Sequence, residues 1–209
     1  MPDLDVYLDE IDVARSRRAR ELSEIKFRFT SHSGPDPSNI NSQSVIVLTY
    51  ASWEGFYNEC VAAYVRFLKE KGGKVRETDW MLLLAVFKPD LDSLWDKNHA
   101  DDARYEFVKN MKERLECGYE QIYSGVLATR SNLNYARLSL NHSILSFDLT
   151  PMQPFRIRLD KELVTWRHEV AHGNPPDLTA LDISGHVDFA AALLVAMADT
   201  FQNAMLQRI

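Results

Sequence analysis

Apolar residues recur along most of this chain at spacings of three and four, the period of one face of an α-helix. The longest such stretch covers 39–72, with Ile46, Tyr50, Trp53, Tyr57, Cys60 or Val61, Tyr64 and Leu68 in phase, and Gly72-Gly73 ends it. An N-terminal helix over 1–30 carries Leu4, Leu8, Ile11, Leu22, Ile25 and Phe29 on either side of a polar middle. Ser31 to Ser38, with one glycine and two prolines, reads as a loop. Near the other end, Ile183, Val187, Ala190, Leu194, Met197, Phe201 and Met205 predict a helix over 183–207. Between them, 101–116 and 131–146 are helix-prone. Asp160 reads as the cap of a helix over 160–173, which Gly173-Asn-Pro-Pro176 closes. Trp80 to Phe87 is read as a short buried helix cut off by Pro89. These elements predict an all-α bundle with an irregular helical insertion near its middle. No repeat, low-complexity tract or linker divides the chain, so residues 1–209 are expected to form one domain.

Composition narrows the function classes. With 209 residues, 45% of them hydrophobic, the chain can bury one sizeable core. Cys60 and Cys117 stand far apart, which suggests neither a thiol-bound zinc site nor a disulfide scaffold. The first residues lack the basic and apolar stretches of a signal peptide, and the most apolar segments, 45–68 and 189–198, are interrupted or too short for a bilayer. A soluble cytoplasmic protein with no membrane partner is expected. A net charge of −6 argues against a protein that coats nucleic acid non-specifically, because such binding needs many cations on phosphate. It leaves room for a local basic site. Two clusters exist: Arg15, Arg17, Arg18 and Arg20, read as a solvated helix face, and Arg156, Arg158 and Arg167.

The chemistry concentrates in Leu163-Val-Thr-Trp-Arg-His-Glu-Val-Ala-His-Gly-Asn174. Structurally, Leu163, Trp166 and Val170 would form a core stripe, with Arg167, His168 and Glu169 on the wet side. Yet the positions three and four away from Arg167 are Leu163, Val164, Val170 and Ala171, so its own helix offers no acid. His172 sits in the last turn before a glycine and two prolines. His168-Glu-Val-Ala-His172 also fits the H-E-x-x-H pattern of zinc hydrolases. A third ligand is wanting: Pro175 and Leu178 stand where the extended pattern has glycine and histidine, and no glutamate follows Glu169, which leaves His186 or Asp182.

Arg167 and His172, four residues between them, instead resemble the R-x(4–6)-H motif of the HEPN superfamily, in which a polar residue commonly follows the arginine and glycine the histidine; His168 and Gly173 match. Tyr50-Ala-Ser-Trp-Glu-Gly-Phe56 and Ser131-Asn-Leu-Asn134 resemble the corresponding parts of bacterial stand-alone HEPN nucleases, in the same order. The resemblance covers about 45–205. It implies a HEPN-like helical bundle and a metal-independent endoribonuclease in which the RNA 2′-hydroxyl is the nucleophile. Arg167 and His172 would be catalytic, His168 and Glu169 supporting, with no metal and no cofactor. Histidine exchanges protons near neutrality, and the guanidinium fork suits a phosphate gathering charge. One histidine cannot easily serve both sides of the phosphorus, and by resemblance a homodimer sets two motifs face to face. The resemblance further implies an RNA substrate, a role as toxin or antiviral defence effector, and an antitoxin or defence-system partner. Two alternatives stay open: a non-catalytic HEPN module binding RNA or protein, and a zinc hydrolase built on His168, Glu169 and His172. Trp53 and Tyr57 are read as core, with Glu54 hydrogen-bonding the motif helix. His32, His99, His142 and His186 are read as solvated or capping.

Overall fold

Three long helices carry the core of the computed structural model, which describes residues 2–30, 40–95, 100–129, 132–178 and 181–208. They are α1 (Leu4–Thr30), α2 (Ile40–Lys71) and α7 (Ile183–Leu206), each packed against the other two. Between α2 and α7 come α3 (Leu83–Leu94), α4 (Ala100–Leu115), α5 (Tyr135–Leu145) and α6 (Trp166–Ala171), joined by shorter turns. The protein is all-α: among the described residues the one β contact is an isolated antiparallel bridge between Lys74 and Gly118. The loop expected over Ser31 to Ser38, His32, His99 and Ser131 lie outside the described residues.

α2 buries a broad apolar face at the centre of the bundle. Trp53, Phe56, Tyr57, Cys60, Tyr64 and Leu68 are all fully buried. Tyr64, Phe147 and Phe201 meet edge to face, with ring centroids 5.0–5.8 Å apart, the arrangement aromatic quadrupoles favour. α7 is long and apolar enough to cross a membrane by length and composition, contrary to the expectation from 189–198. Here it is a wall of the bundle, with Val187, Ala190, Leu194, Met197, Phe201 and Met205 buried. The basic middle of α1 is no simple solvated face. Arg17 and Arg18 reach across to Glu59 of α2, with Arg18 Nη2 2.5 Å from Glu59 Oε1. Gly55 leaves the space for this crossing, since a Cβ there would stand 2.7 Å from the Arg18 guanidinium.

The insertion is held by polar contacts that periodicity does not reveal. The Asn58 amide donates to the Thr129 carbonyl and accepts from the Thr129 N–H, both at 2.9 Å, as a strand neighbour would. Asp79, 1% exposed, takes a two-pronged contact from the Arg208 guanidinium and a hydrogen bond from the Tyr119 hydroxyl. Pro89 does not end its helix as expected; α3 runs through it to Leu94. A proline at 89 deprives the Ala85 carbonyl of its helical donor. The Tyr123 N–H, 3.2 Å away, takes that place.

The motif helix differs most from expectation. Instead of an α-helix capped by Asp160, one winding run extends from Thr150 to Ala171: a 3₁₀ stretch (Thr150–Phe155), an α turn (Arg156–Arg158), a π turn (Leu159–Thr165) and α6. The Thr165 hydroxyl donates to the Asp160 carbonyl five residues back, within this widened turn. Asp160 does cap a helix, but another one: its carboxylate accepts the Tyr135 N–H of α5 at 2.7 Å. Asn134, the N-cap of α5, accepts from the Arg137 N–H at 2.8 Å.

Candidate active site

α6 rides on the outside of the bundle. Leu163 beneath it is buried, but no residue of α6 is, and Trp166 and Val170 are only half-buried, so the expected core stripe stops at the π turn. α6 rests against α2, which puts Arg167 over the ring of Tyr50, its Cζ 4.9 Å from the centroid. Tyr50 is 2% exposed and fully engaged. Its hydroxyl donates to Glu54 and accepts the Leu133 N–H, both at 2.9 Å. Burial pushes its phenol above the ordinary range, with Glu54 adding to the effect, so the hydroxyl keeps its proton. Glu54, expected to meet the motif helix, thus bonds the tyrosine on which Arg167 lies. Tyr50→Phe is expected to strand the buried Leu133 N–H and remove one partner of Glu54, costing about 1–3 kcal/mol in chemical denaturation. An unchanged midpoint would rule this network out as a support.

The end of α6 is set by Gly173. At φ +77° it takes the left-handed position that side chains disfavour. Its N–H then bonds the Val170 carbonyl and that of Asn174 the Glu169 carbonyl, a Schellman closure. His172 is therefore the C-cap, at φ −94° and ψ 7°, with its ring exposed. His168, one turn back, is exposed too, and the two rings lie 4.2 Å apart by centroid. Glu169 is half-buried and makes no ion pair with either histidine among the described residues. Arg167, His168 and His172 thus share the last turns of one exposed helix, the arginine turned inward to Tyr50 and the imidazoles outward.

The sequence model of the RiboL-PSP-HEPN family matches residues 14–203. The chain belongs to that family. No curated protein and no solved structure matches it. Membership in this HEPN family agrees with the all-α fold and points to a nuclease or an RNA-binding module. A surface cleft of about 1010 Å³ at the Gly72-Gly73 end of α2, lined by Lys71, Lys74, Asp148, Asp199 and Arg208 among others, includes neither Arg167 nor His172. His168 and His172 are instead on the exposed side of the fold, with Arg167 half-buried beside them.

The zinc alternative fares poorly on donor geometry. His186, one of its two candidate third ligands beside Asp182, is 1% exposed and stacks on Trp166 at 6.0 Å between centroids, with Nδ1 3.8 Å from Glu162. Among the described residues no three His, Cys, Asp or Glu side chains gather as a metal site. His142 is buried as well, and burial lowers its pKa, so neither histidine is the solvated or capping residue expected.

Glu162, within the π turn, ties it to Arg158 and His186. Burial would raise its carboxyl, but His186 and the bidentate Arg158 outweigh that and hold it at about 2. A depressed carboxyl stabilises the fold fully above its unfolded value and loses that contribution as pH falls. Glu162→Gln is therefore expected to be less stable than the natural chain at pH 6, with the gap closing between about 4.5 and 2 in urea titrations. A gap independent of pH would contradict the assignment.

Sequence reasoning missed Glu162 and did not assign Tyr50, Asp160 and His186 the parts they play here, reading Asp160 as the cap of the motif helix and His186 as a possible zinc ligand. Tyr50 alone had left a signal, lying in the segment that resembles HEPN nucleases and one helical turn before Glu54.

Proposed function

We infer that this HEPN protein is a metal-independent endoribonuclease with Arg167 and His172 as its catalytic pair. The observation that carries the reading is the display of both on α6: a guanidinium steadied over buried Tyr50 and an exposed imidazole at the cap. Cleavage of RNA needs no more than such groups supply. The 2′-oxygen attacks the adjacent phosphorus, an imidazole removes its proton, and the P–O5′ bond breaks as a second imidazole protonates the leaving oxygen. The guanidinium fork stabilises the charge gathering on the phosphoryl oxygens. The products carry a 2′,3′-cyclic phosphate and a 5′-hydroxyl.

Residues five apart on an α-helix point about 140° away from each other. A second copy facing the first would supply the other imidazole, so the reading includes a homodimer with a composite cleft. His168, beside His172, helps hold the phosphate or orient that ring, and Glu169 is a supporting residue on the same helix. A role as toxin or defence effector, a neutralising antitoxin or defence-system partner, and a cytoplasmic location complete the proposal. The test is incubation with total RNA in excess EDTA, comparing the natural chain with Arg167→Ala and His172→Ala. Cleavage that survives chelation and disappears in both variants supports the reading. Cleavage abolished by EDTA, or retained in either variant, overturns it.

A further inference from the structure

The three arginines clustered in the sequence at 156, 158 and 167 have separate fates in the fold. Arg158 is neutralised, donating two hydrogen bonds to Glu162 at 2.7 and 2.8 Å with its Cζ 4.2 Å from the Phe189 centroid. Arg156 is exposed and has no acidic partner within ion-pair distance among the described residues; it lies over the ring of Tyr135, its Cζ 5.4 Å from the centroid. That repeats the arrangement at the motif, where Arg167 lies over Tyr50.

The two cation and ring pairs are joined by one short segment. The Leu133 N–H bonds the hydroxyl of Tyr50, under Arg167. Two residues on, the Tyr135 N–H bonds Asp160, in the same helical run that carries both Arg156 and Arg167. Eleven residues of that run rise roughly 16 Å at the α-helical 1.5 Å per residue, and somewhat less through a π turn. This is the reach of a few nucleotides of extended single strand. Resting on a neutral ring, Arg156 keeps its charge and its N–H groups for an incoming anion, which Arg158, paired to Glu162, does not.

We propose that Arg156 on Tyr135 is a second substrate station, gripping the backbone of a single RNA strand a few nucleotides from the phosphate held at Arg167. The proposal rests on the cleavage reading above for its geometry of approach, but its signature is separate. The station acts on binding and not on chemistry, and only on RNA long enough to reach it.

Two measurements on the full chain test it. Cleavage kinetics in EDTA with a dinucleotide and with a single-stranded dodecamer should show that Arg156→Ala raises KM for the dodecamer about tenfold, leaves kcat near its original value, and does not alter the dinucleotide. Arg156→Lys should recover part of the loss. Binding of the labelled dodecamer by His172→Ala protein, followed by fluorescence anisotropy, should weaken by a similar factor on adding Arg156→Ala, with a shallower dependence on salt. Tyr135→Leu should weaken it less. Equal loss on both RNA lengths, a fall in kcat alone, or unchanged affinity for the dodecamer overturns the station. If the natural chain proves unable to cleave, the cleavage reading fails by itself, and the anisotropy comparison still decides for or against Arg156; absence of any RNA binding decides against it.

Discussion

Arg167→Ala should slow RNA cleavage about 10³-fold, and His172→Ala by a similar factor, because removing a charge-stabilising donor or a proton-transfer group typically costs 10²–10⁴ in rate. If both groups serve one transition state, the two losses should not multiply in the double variant. Arg167→Lys distinguishes charge from geometry. It keeps the positive charge over Tyr50 but not the planar fork, so an intermediate rate is expected, well below that of the natural chain. Folding should survive in all of them. Arg167 is half-buried on an exposed helix, and the contact with the Tyr50 ring is worth about 0.5–2 kcal/mol, a modest part of a domain's stability. The check is initial rates in EDTA beside thermal melts. A variant that melts normally and cleaves undiminished would remove Arg167 from the chemistry.

The largest effect on stability is expected far from that motif. Asp79→Ala should cost about 3–5 kcal/mol, because breaking a buried ion pair from one side leaves the other charge without compensation. Asp79 is 1% exposed, and its partner Arg208 holds a guanidinium whose charged form is favoured by that carboxylate despite burial. The same carboxylate takes the Tyr119 hydroxyl, so one substitution loosens the end of α7, the turn before α3 and the segment around Tyr119 together. For a chain of this length the melting midpoint should fall on the order of 10 °C. Asp188→Ala is the internal comparison. Its pair with Lys26 spans a similar gap, 2.7 Å, but Asp188 is 62% exposed, and such pairs are worth about 1 kcal/mol or less. Equal losses in the two variants would show that burial does not set the difference.

Much of the fold was legible because it follows from periodicity. Ile46 to Leu68 and Ile183 to Met205 put apolar residues on helical faces, and such faces must find one another whatever the loops do. Gly72 and Gly173 stop helices for a local reason, the left-handed φ they adopt. The arginine and histidine of α6, and the all-α class itself, were likewise readable from short-range pattern and resemblance. Pro89 misled because proline's cost depends on whether the stranded carbonyl finds a donor, and the Tyr123 N–H comes from thirty-four residues along the chain. Asp160 misled for a similar reason: its side chain suits a cap, but which N–H it meets is decided by the approach of α5. The sequence by itself determined the helices, their buried faces and the chemical groups of the motif, since these depend on neighbours three and four residues away. Only the tertiary structure decided that Arg167 lies on Tyr50, that His186 goes under Trp166 and that Asp79 holds Arg208, because each contact joins residues tens of positions apart and carries no period to read.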